Sequence, residues 1–186
     1  MPSYAKNLSR SILFCLACWP LPSSADEYPA MVRYAKLLEN AEDYTISAQI
    51  DYQLSPTAKE ALQKGVPLAW DVLIEINRTM GPLSTTLYEK KLPFVLEFNA
   101  LLNQYEVKSP GHLEMFLTLN AALNFMAALH DAGHIDKGLL HTGKSYQLAV
   151  KSRFNREFLP IPLRPSAYLD GQWFLSSDWF IWPIQK

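Results

Sequence analysis

Apolar and polar residues alternate with period two over much of this chain, and that period belongs to strands. Tyr44, Ile46, Ala48, Ile50, Tyr52 and Leu54 share one parity; Thr45, Ser47, Gln49, Asp51 and Gln53 share the other. One apolar face and one wet face mark a half-buried antiparallel strand. Leu68, Trp70, Val72, Ile74 and Ile76 repeat the pattern over Leu68–Thr79, against Asp71, Glu75 and Asn77. Tyr146, Leu148, Val150, Ser152 and Phe154 do so again, with Lys151 and Arg153 outward. Thr85–Phe98 predicts a further strand with Lys90 and Lys91 exposed. Pro93 has no N–H to give to a ladder, which confines that strand to an edge or a bulge. Leu101–Lys108 predicts a short strand with Leu101, Asn103, Tyr105 and Val107 on one face. Tyr28–Leu38 fits a strand or a short amphipathic helix equally well.

Helical signals are fewer. Ser55 can cap free backbone N–H groups, and Pro56 suits the first helical position. Gly65 can end that short helix in a left-handed conformation. Ser109-Pro110 repeats the same device. From Leu113 to His130 the spacing becomes three and four, through Phe116, Leu119, Leu123 and Met126. The polar side is narrow, which predicts a long helix mostly buried against a sheet. Asn40–Asp43 and Met80-Gly81-Pro82 read as turns, and Asp131–Gly143 as a loop. Together these elements predict a mainly β, α+β fold: an antiparallel β-sandwich or curved sheet of about seven strands with one long and one short helix.

The first 25 residues do not belong to this pattern. Lys6 and Arg10 form a positive head, Ser11–Leu21 is a short apolar run, and Ser23-Ser24-Ala25 places small residues before a cut at Asp26. The run is too short to span a membrane, which takes about 20 residues. The expectation is a signal peptide over 1–25, export to the periplasm, and a single β-rich domain over 26–186 with no transmembrane span. Leu16-Ala17-Cys18 is a weaker match to a lipoprotein cut, which would leave Cys18 acylated. Both cysteines, Cys15 and Cys18, lie in the leader, so disulfides and thiolate chemistry are not expected of the mature domain.

Of the 186 residues, 49% are hydrophobic and 19% charged, an ordinary globular balance. The formal charge is −1, and losing Lys6 and Arg10 makes the domain more acidic still. That argues against nucleic acid, which demands a dense basic surface. The sequence has no G-x-x-x-x-G-K-[ST], G-x-G-x-x-G or H-E-x-x-H motif, which argues against nucleotide and zincin chemistry. No catalytic residue and no cofactor are assigned. Ser176-Ser177-Asp178 pairs a hydroxyl with a carboxylate but lacks a glycine elbow. Asp51, Asp71 and Glu75 fall on apparent solvent faces.

Two polar constellations are candidates for binding. His130, His134 and Asp136 are imidazole and carboxylate ligands of the kind zinc takes. Gly133 argues against this by ending the helix between the two histidines, and a helix terminus that favours cations explains them more simply. Lys151, Arg153 and Arg156, with Trp179, form a possible binding surface for anionic lipid, peptidoglycan or an acidic partner. The simpler account is a solvated strand face whose lysines discourage edge pairing.

Three of the five tryptophans fall in the closing stretch, at Trp173, Trp179 and Trp182. They could stack on glycans or pack inside. Trp179, Ile181 and Pro183 share one parity; Phe180, Trp182 and Ile184 share the other. Both faces are apolar, which predicts a central strand covered on both sides, with Ser176-Ser177 as a bulge.

Leu159-Pro160-Ile161-Pro162-Leu163, followed by Trp173, Ser176-Ser177 and Trp179, resembles the C-terminal signature of an exported bacterial family, domain of unknown function 4390. Leu54-Ser55-Pro56, Glu60-Ala61-Leu62, Gly65-Val66-Pro67-Leu68, Tyr105 and Leu119–Leu123 are similar to it in order and spacing. The resemblance covers residues 28–184. It implies an exported protein of Gram-negative bacteria, with genes often beside a sensor histidine kinase. The expected function is therefore a periplasmic accessory or interaction protein of the cell envelope, with another envelope protein such as a membrane sensor kinase as partner. The alternatives are a cell-wall or glycan-binding module, and an enzyme of unrecognised type. The resemblance brings no catalytic residue with it.

Overall fold

The computed structural model describes residues 28–184. The signal peptide read over Met1–Ala25, with Cys15 and Cys18, lies outside the described residues. The fold is mainly β. Strands β1 (Met31–Glu39) and β2 (Asp43–Asp51) form a small antiparallel sheet with β7 (Ala128–Leu129) and β8 (His134–Asp136), both of which pair with β2. The larger antiparallel sheet also contains β3 (Leu68–Met80), β4 (Leu83–Asn99), β5 (Gln104–Ser109), β6 (His112–Phe116), β9 (Ser145–Phe154) and β10 (Phe180–Ile184). Its order is β10-β9-β3-β4-β5-β6. The apolar faces of the two sheets share one core.

The period-two stretches account for that core. Ile46, Ala48 and Ile50 on β2 meet Trp70, Val72, Ile74 and Ile76 on β3 and Leu148 and Val150 on β9, all buried. β1 resolves as a strand, and its ambiguity has a cause. Its register shifts between Val32 and Tyr34, so the buried Val32 and Ala35 stand three apart and imitate a helical spacing. Pro93 sits where β4 pairs with β3 alone, because the β5 ladder begins at Val95. β4 is locally an edge there, and proline's missing N–H is no loss.

Helix α1 (Pro56–Gln63) forms where Ser55-Pro56 predicts it: Ala58 N–H donates to Ser55 Oγ at 3.0 Å. Gly65 follows at φ +83°, a left-handed stop. The long helix is shorter than its periodicity predicts. Pro110-Gly111, with Gly111 at φ +79°, is the tip of a hairpin that pairs Ser109 with His112. His112–Phe116 is therefore strand β6, and helix α2 spans only Leu119–Ala127, capped by Thr118, whose Oγ1 accepts from Ala121 N–H at 3.2 Å. At its other end the chain leaves the helix to pair along the free edge of β2, matching Leu129 with Ala48 and Ile135 with Tyr44. Those ladder bonds replace the helical ones that Ala128–His130 would have made. Gly133 does not end a helix; a Cβ there would collide with the Tyr88 hydroxyl. Leu101 lies in a turn and is 97% exposed rather than in the strand.

The closing stretch reverses the central-strand expectation. β10 is the edge of the large sheet, and Trp182 and Ile181 are about half exposed. Pro183 cannot donate to a second neighbour, which restricts this strand to an edge. Phe180 and Ile184 pack on the rim of the core, so both parities are apolar without both faces being covered. The buried part comes earlier, after the short helix α3 (Arg164–Leu169): Trp173 is 2% exposed and Leu175 1%. Trp173→Ala is expected to cost about 3–5 kcal/mol by opening a core cavity. Ile181→Ala is expected to cost about 1 kcal/mol or less. Urea unfolding with unchanged m-values measures both, and equal losses would contradict this placement.

Candidate functional site

The register of β9, β3 and β4 builds a charged face on the side of the large sheet turned away from the core. Opposite Asp71 stand Arg153 on one side and Pro93 on the other. Opposite Leu73 stand Lys151 and Lys91. One row further, Glu75 faces Glu89. Alternation predicts Asp71 in solvent, but it is only 3% exposed. Its Oδ2 takes Lys91 Nζ at 3.0 Å and Arg153 Nη2 at 3.2 Å, with Asn155 Nδ2 at 3.5 Å. A carboxylate out of water is costly unless it is paired. Here two cationic arms cover it, each itself about half exposed.

The turn after β9 carries the next cation. Asn155 N–H donates to Ala69 C=O at 2.8 Å, extending the β9–β3 ladder by one step. The chain then folds into a 3-10 turn over Arg156–Phe158. The Arg156 guanidinium lies near two rings, 5.3 Å from Tyr168 and 5.0 Å from Phe174. It has no carboxylate partner among the described residues, and its Nε is buried without an acceptor. Tyr168 donates its hydroxyl to Glu157, and that hydrogen bond raises the hydroxyl above the usual tyrosine range. Ser176 completes the wall: Phe154 N–H donates to its Oγ at 2.9 Å. These groups line a cleft of about 500 Å³.

The possible binding surface of Lys151, Arg153, Arg156 and Trp179 therefore divides in two. Arg153 and Arg156 line the cleft. Lys151 lies on the adjoining face, its Nζ 5.8 Å from the Trp179 ring centre. The tryptophans form no common platform: Trp173 is in the core, and Trp179 and Trp182 have opposite parity on the edge. Lys91, Asn155 and Tyr168 are cleft members that the sequence pattern leaves out, and Asp71 enters it only as a solvent-facing carboxylate. Spacing along the chain cannot pair Lys91 with Arg153, because only the strand order β9-β3-β4 brings them together.

His130 and His134 lie on different surfaces. His130 lines a second cleft with Lys90, Phe94 and Phe125. His134 is on β8, where its Nδ1 is 2.6 Å from Asp43 Oδ2 and its Nε2 3.2 Å from Asp131 Oδ1. The exposed Asp136 accepts from Gly138 N–H instead. Among the described residues, no three His, Cys, Asp or Glu side chains are gathered as a metal ion would require.

The family model described as Domain of unknown function (DUF4390) matches residues 28–183, and the chain belongs to that family. No curated protein and no solved structure matches the chain.

The Asp43–His134 pair makes a pH prediction. The hydrogen bond from Asp43, then the charge of Asp131, raise the His134 pKa above 6.5. Asp43 is lowered by its hydrogen bonds with Asn40 and then with His134. The stability from His134 is complete below 6.5 and is lost as pH rises through its raised value; that from Asp43 is lost as pH falls through its lowered value. An NMR titration of His134 is expected to show a midpoint above 6.5, moving down in Asp43→Asn. A wild-type midpoint at or below 6.5 would contradict the pairing.

Proposed function

We propose that this member of the DUF4390 family is an exported accessory protein of the bacterial cell envelope that acts by binding another envelope protein. The docking surface is the outer face of the large sheet. The carrying observation is the gathering of Lys91 and Arg153 over the buried Asp71, with Lys151 in the next row and Arg156 beside them in the cleft. Cations held in register on a stiff sheet suit an acidic partner, because they steer approach and fix orientation. Leu73 lies between Lys151 and Lys91, and Ile181 lies one row further beside Ala149 and Glu75 on the same face; both supply apolar contact. The leader argued from Lys6, Arg10 and Ser23-Ser24-Ala25 supports export to the periplasm. There, a membrane sensor kinase with an acidic outer segment is a partner of the right chemistry.

The test is a photo-crosslinker at position 179 in living cells. One dominant envelope protein should be trapped. Lys151→Glu should abolish the crosslink, and Lys36→Glu on the exposed edge of the small sheet should leave it intact. Failure to trap any protein, or equal sensitivity to both variants, would overturn the docking face. Retention on peptidoglycan without a protein partner would favour the glycan-binding alternative. Periplasmic chain beginning at Asp26 is the expected product of export, and recovery of uncleaved chain from the cytoplasm would overturn the location.

A further inference from the structure

We propose that the Arg156 cleft is a specific site for a singly charged oxyanion, a carboxylate or a phosphodiester, with Arg156 as its principal donor. The proposal deepens the docking reading by naming the group that the partner or ligand presents. It rests on that reading only for the source of the oxyanion.

The argument begins with the cations that are already occupied. Lys91 and Arg153 are both committed to Asp71, a carboxylate 3% exposed that cannot leave them. Glu157 is committed too, to the Tyr168 hydroxyl and to Arg164 Nη1 at 3.5 Å. Arg156 alone among the cleft's charged groups has no ionic partner among the described residues. A surface arginine without a partner would be unremarkable in water. This one has its Nε buried and unpaired, and its guanidinium held near Tyr168 and Phe174. An Nε without exposed surface does not itself meet a ligand; its burial holds the guanidinium in place and leaves the terminal N–H groups as the donors for an arriving acceptor. The neighbouring rings also limit the rotamers the side chain can adopt, so less freedom is lost when a ligand binds.

Charge then selects the ligand. The cleft is lined by Lys91, Arg153 and Arg156 against Asp71 and Glu157, a surplus of one positive charge within the lining, with Arg164 pairing Glu157 from outside it. A single negative charge balances it, whereas a phosphate monoester brings nearly two charges toward two fixed carboxylates. A guanidinium fork presents paired N–H donors that match two oxygens of one carboxylate or one phosphodiester. Asn155 and Ser176 supply neutral polar groups on the same wall. The acidic row of Glu75 and Glu89 lies further along the face, so the potential favours an anion at the Arg156 end.

The test uses the chain purified from its expressing cell, with the Arg156 Nε–Hε resonance as the readout. The probes are N-acetyl-dialanine, its C-terminal amide, and glycerophosphoglycerol. Saturable shifts of the Arg156 signal with the dipeptide acid, the phosphodiester or both are expected, and none with the amide. The response to each acid identifies the preferred source. Arg156→Gln should weaken binding roughly tenfold or more, as expected for loss of a charged hydrogen-bond pair. Arg156→Lys, which keeps the charge but loses the fork, should also bind more weakly than wild type. Lys36→Gln should bind as wild type does. The wild-type titration needs no variant to fold. If chloride at matched ionic strength reproduces the shifts, or neither oxyanion saturates, the site is not there. Folded Arg156→Gln binding like wild type would overturn Arg156 as the donor. Crosslinking that persists at position 179 with no oxyanion binding would reject the cleft and leave the docking face standing.

Discussion

The indole N–H of Trp70 donates to the carbonyl of Leu175 at 3.1 Å, and much of the rest of the structure depends on that bond. Trp70 lies in the middle strand of three, with Phe154 opposite it on β9 and Phe94 on β4. Its ring meets Tyr52, the residue just after β2, at 5.6 Å and Phe154 at 5.1 Å, and Phe154 in turn stacks on Trp173 at 6.1 Å. A buried indole N–H needs an acceptor. Its acceptor here comes from a segment more than a hundred residues away in the chain. One polar requirement in the core therefore fixes where the closing stretch must run, which packing of apolar surface alone would leave loose.

Once Leu175 is fixed, the next two residues continue the edge of β9 where β10 stops pairing. Ser152 N–H donates to Ser177 Oγ at 2.8 Å, and Ser177 N–H returns to Ser152 C=O at 2.7 Å. Phe154 N–H donates to Ser176 Oγ. Two serines thus do for β9 what a neighbouring strand would otherwise do, and no backbone donor at Ser152 or Phe154 is left unpaired. Ser152 Oγ also donates to the hydroxyl of Tyr52 at 3.2 Å, joining the two sheets. Burial pushes that tyrosine far above its ordinary range, so it stays a neutral acceptor. The polar strap and the aromatic cluster form one unit.

Strands whose pattern is set by one buried face are readable in the sequence, as Ile46–Ile50, Leu68–Ile76 and Tyr146–Phe154 show. The errors fall where a residue's state depends on a distant neighbour. Asp71 occupies a wet position by parity, yet Lys91 closes over it across the β3–β4 hairpin and Arg153 from β9, a strand that the sequence cannot place beside β3. Leu113–His130 keeps a helical period throughout, but Gly111 turns the first part into a hairpin and the free edge of β2 claims the last. In the closing stretch Pro183 marks β10 as an edge, while the apolar residues on both parities around it imitate a covered central strand. Of the site, Arg153, Arg156, Lys151 and Trp179 are legible in the sequence as a basic run beside an aromatic. Their division between a cleft and a flat face follows from the turn at Asn155, where the β9–β3 ladder ends.

That turn also links the core to the cleft. Ser176 lines the cleft and pairs the backbone of Phe154, and Phe154 packs on both Trp70 and Trp173. Any substitution in the strap therefore changes the core and the cleft together. Arg156 differs because it lies beyond the last ladder bond, and it has no ion pair among the described residues. The structure thus separates two tasks along a few residues of chain. Trp70, Phe154 and the serines hold the wall rigid, and the arginine beside it remains the group whose charge is available to something outside the protein.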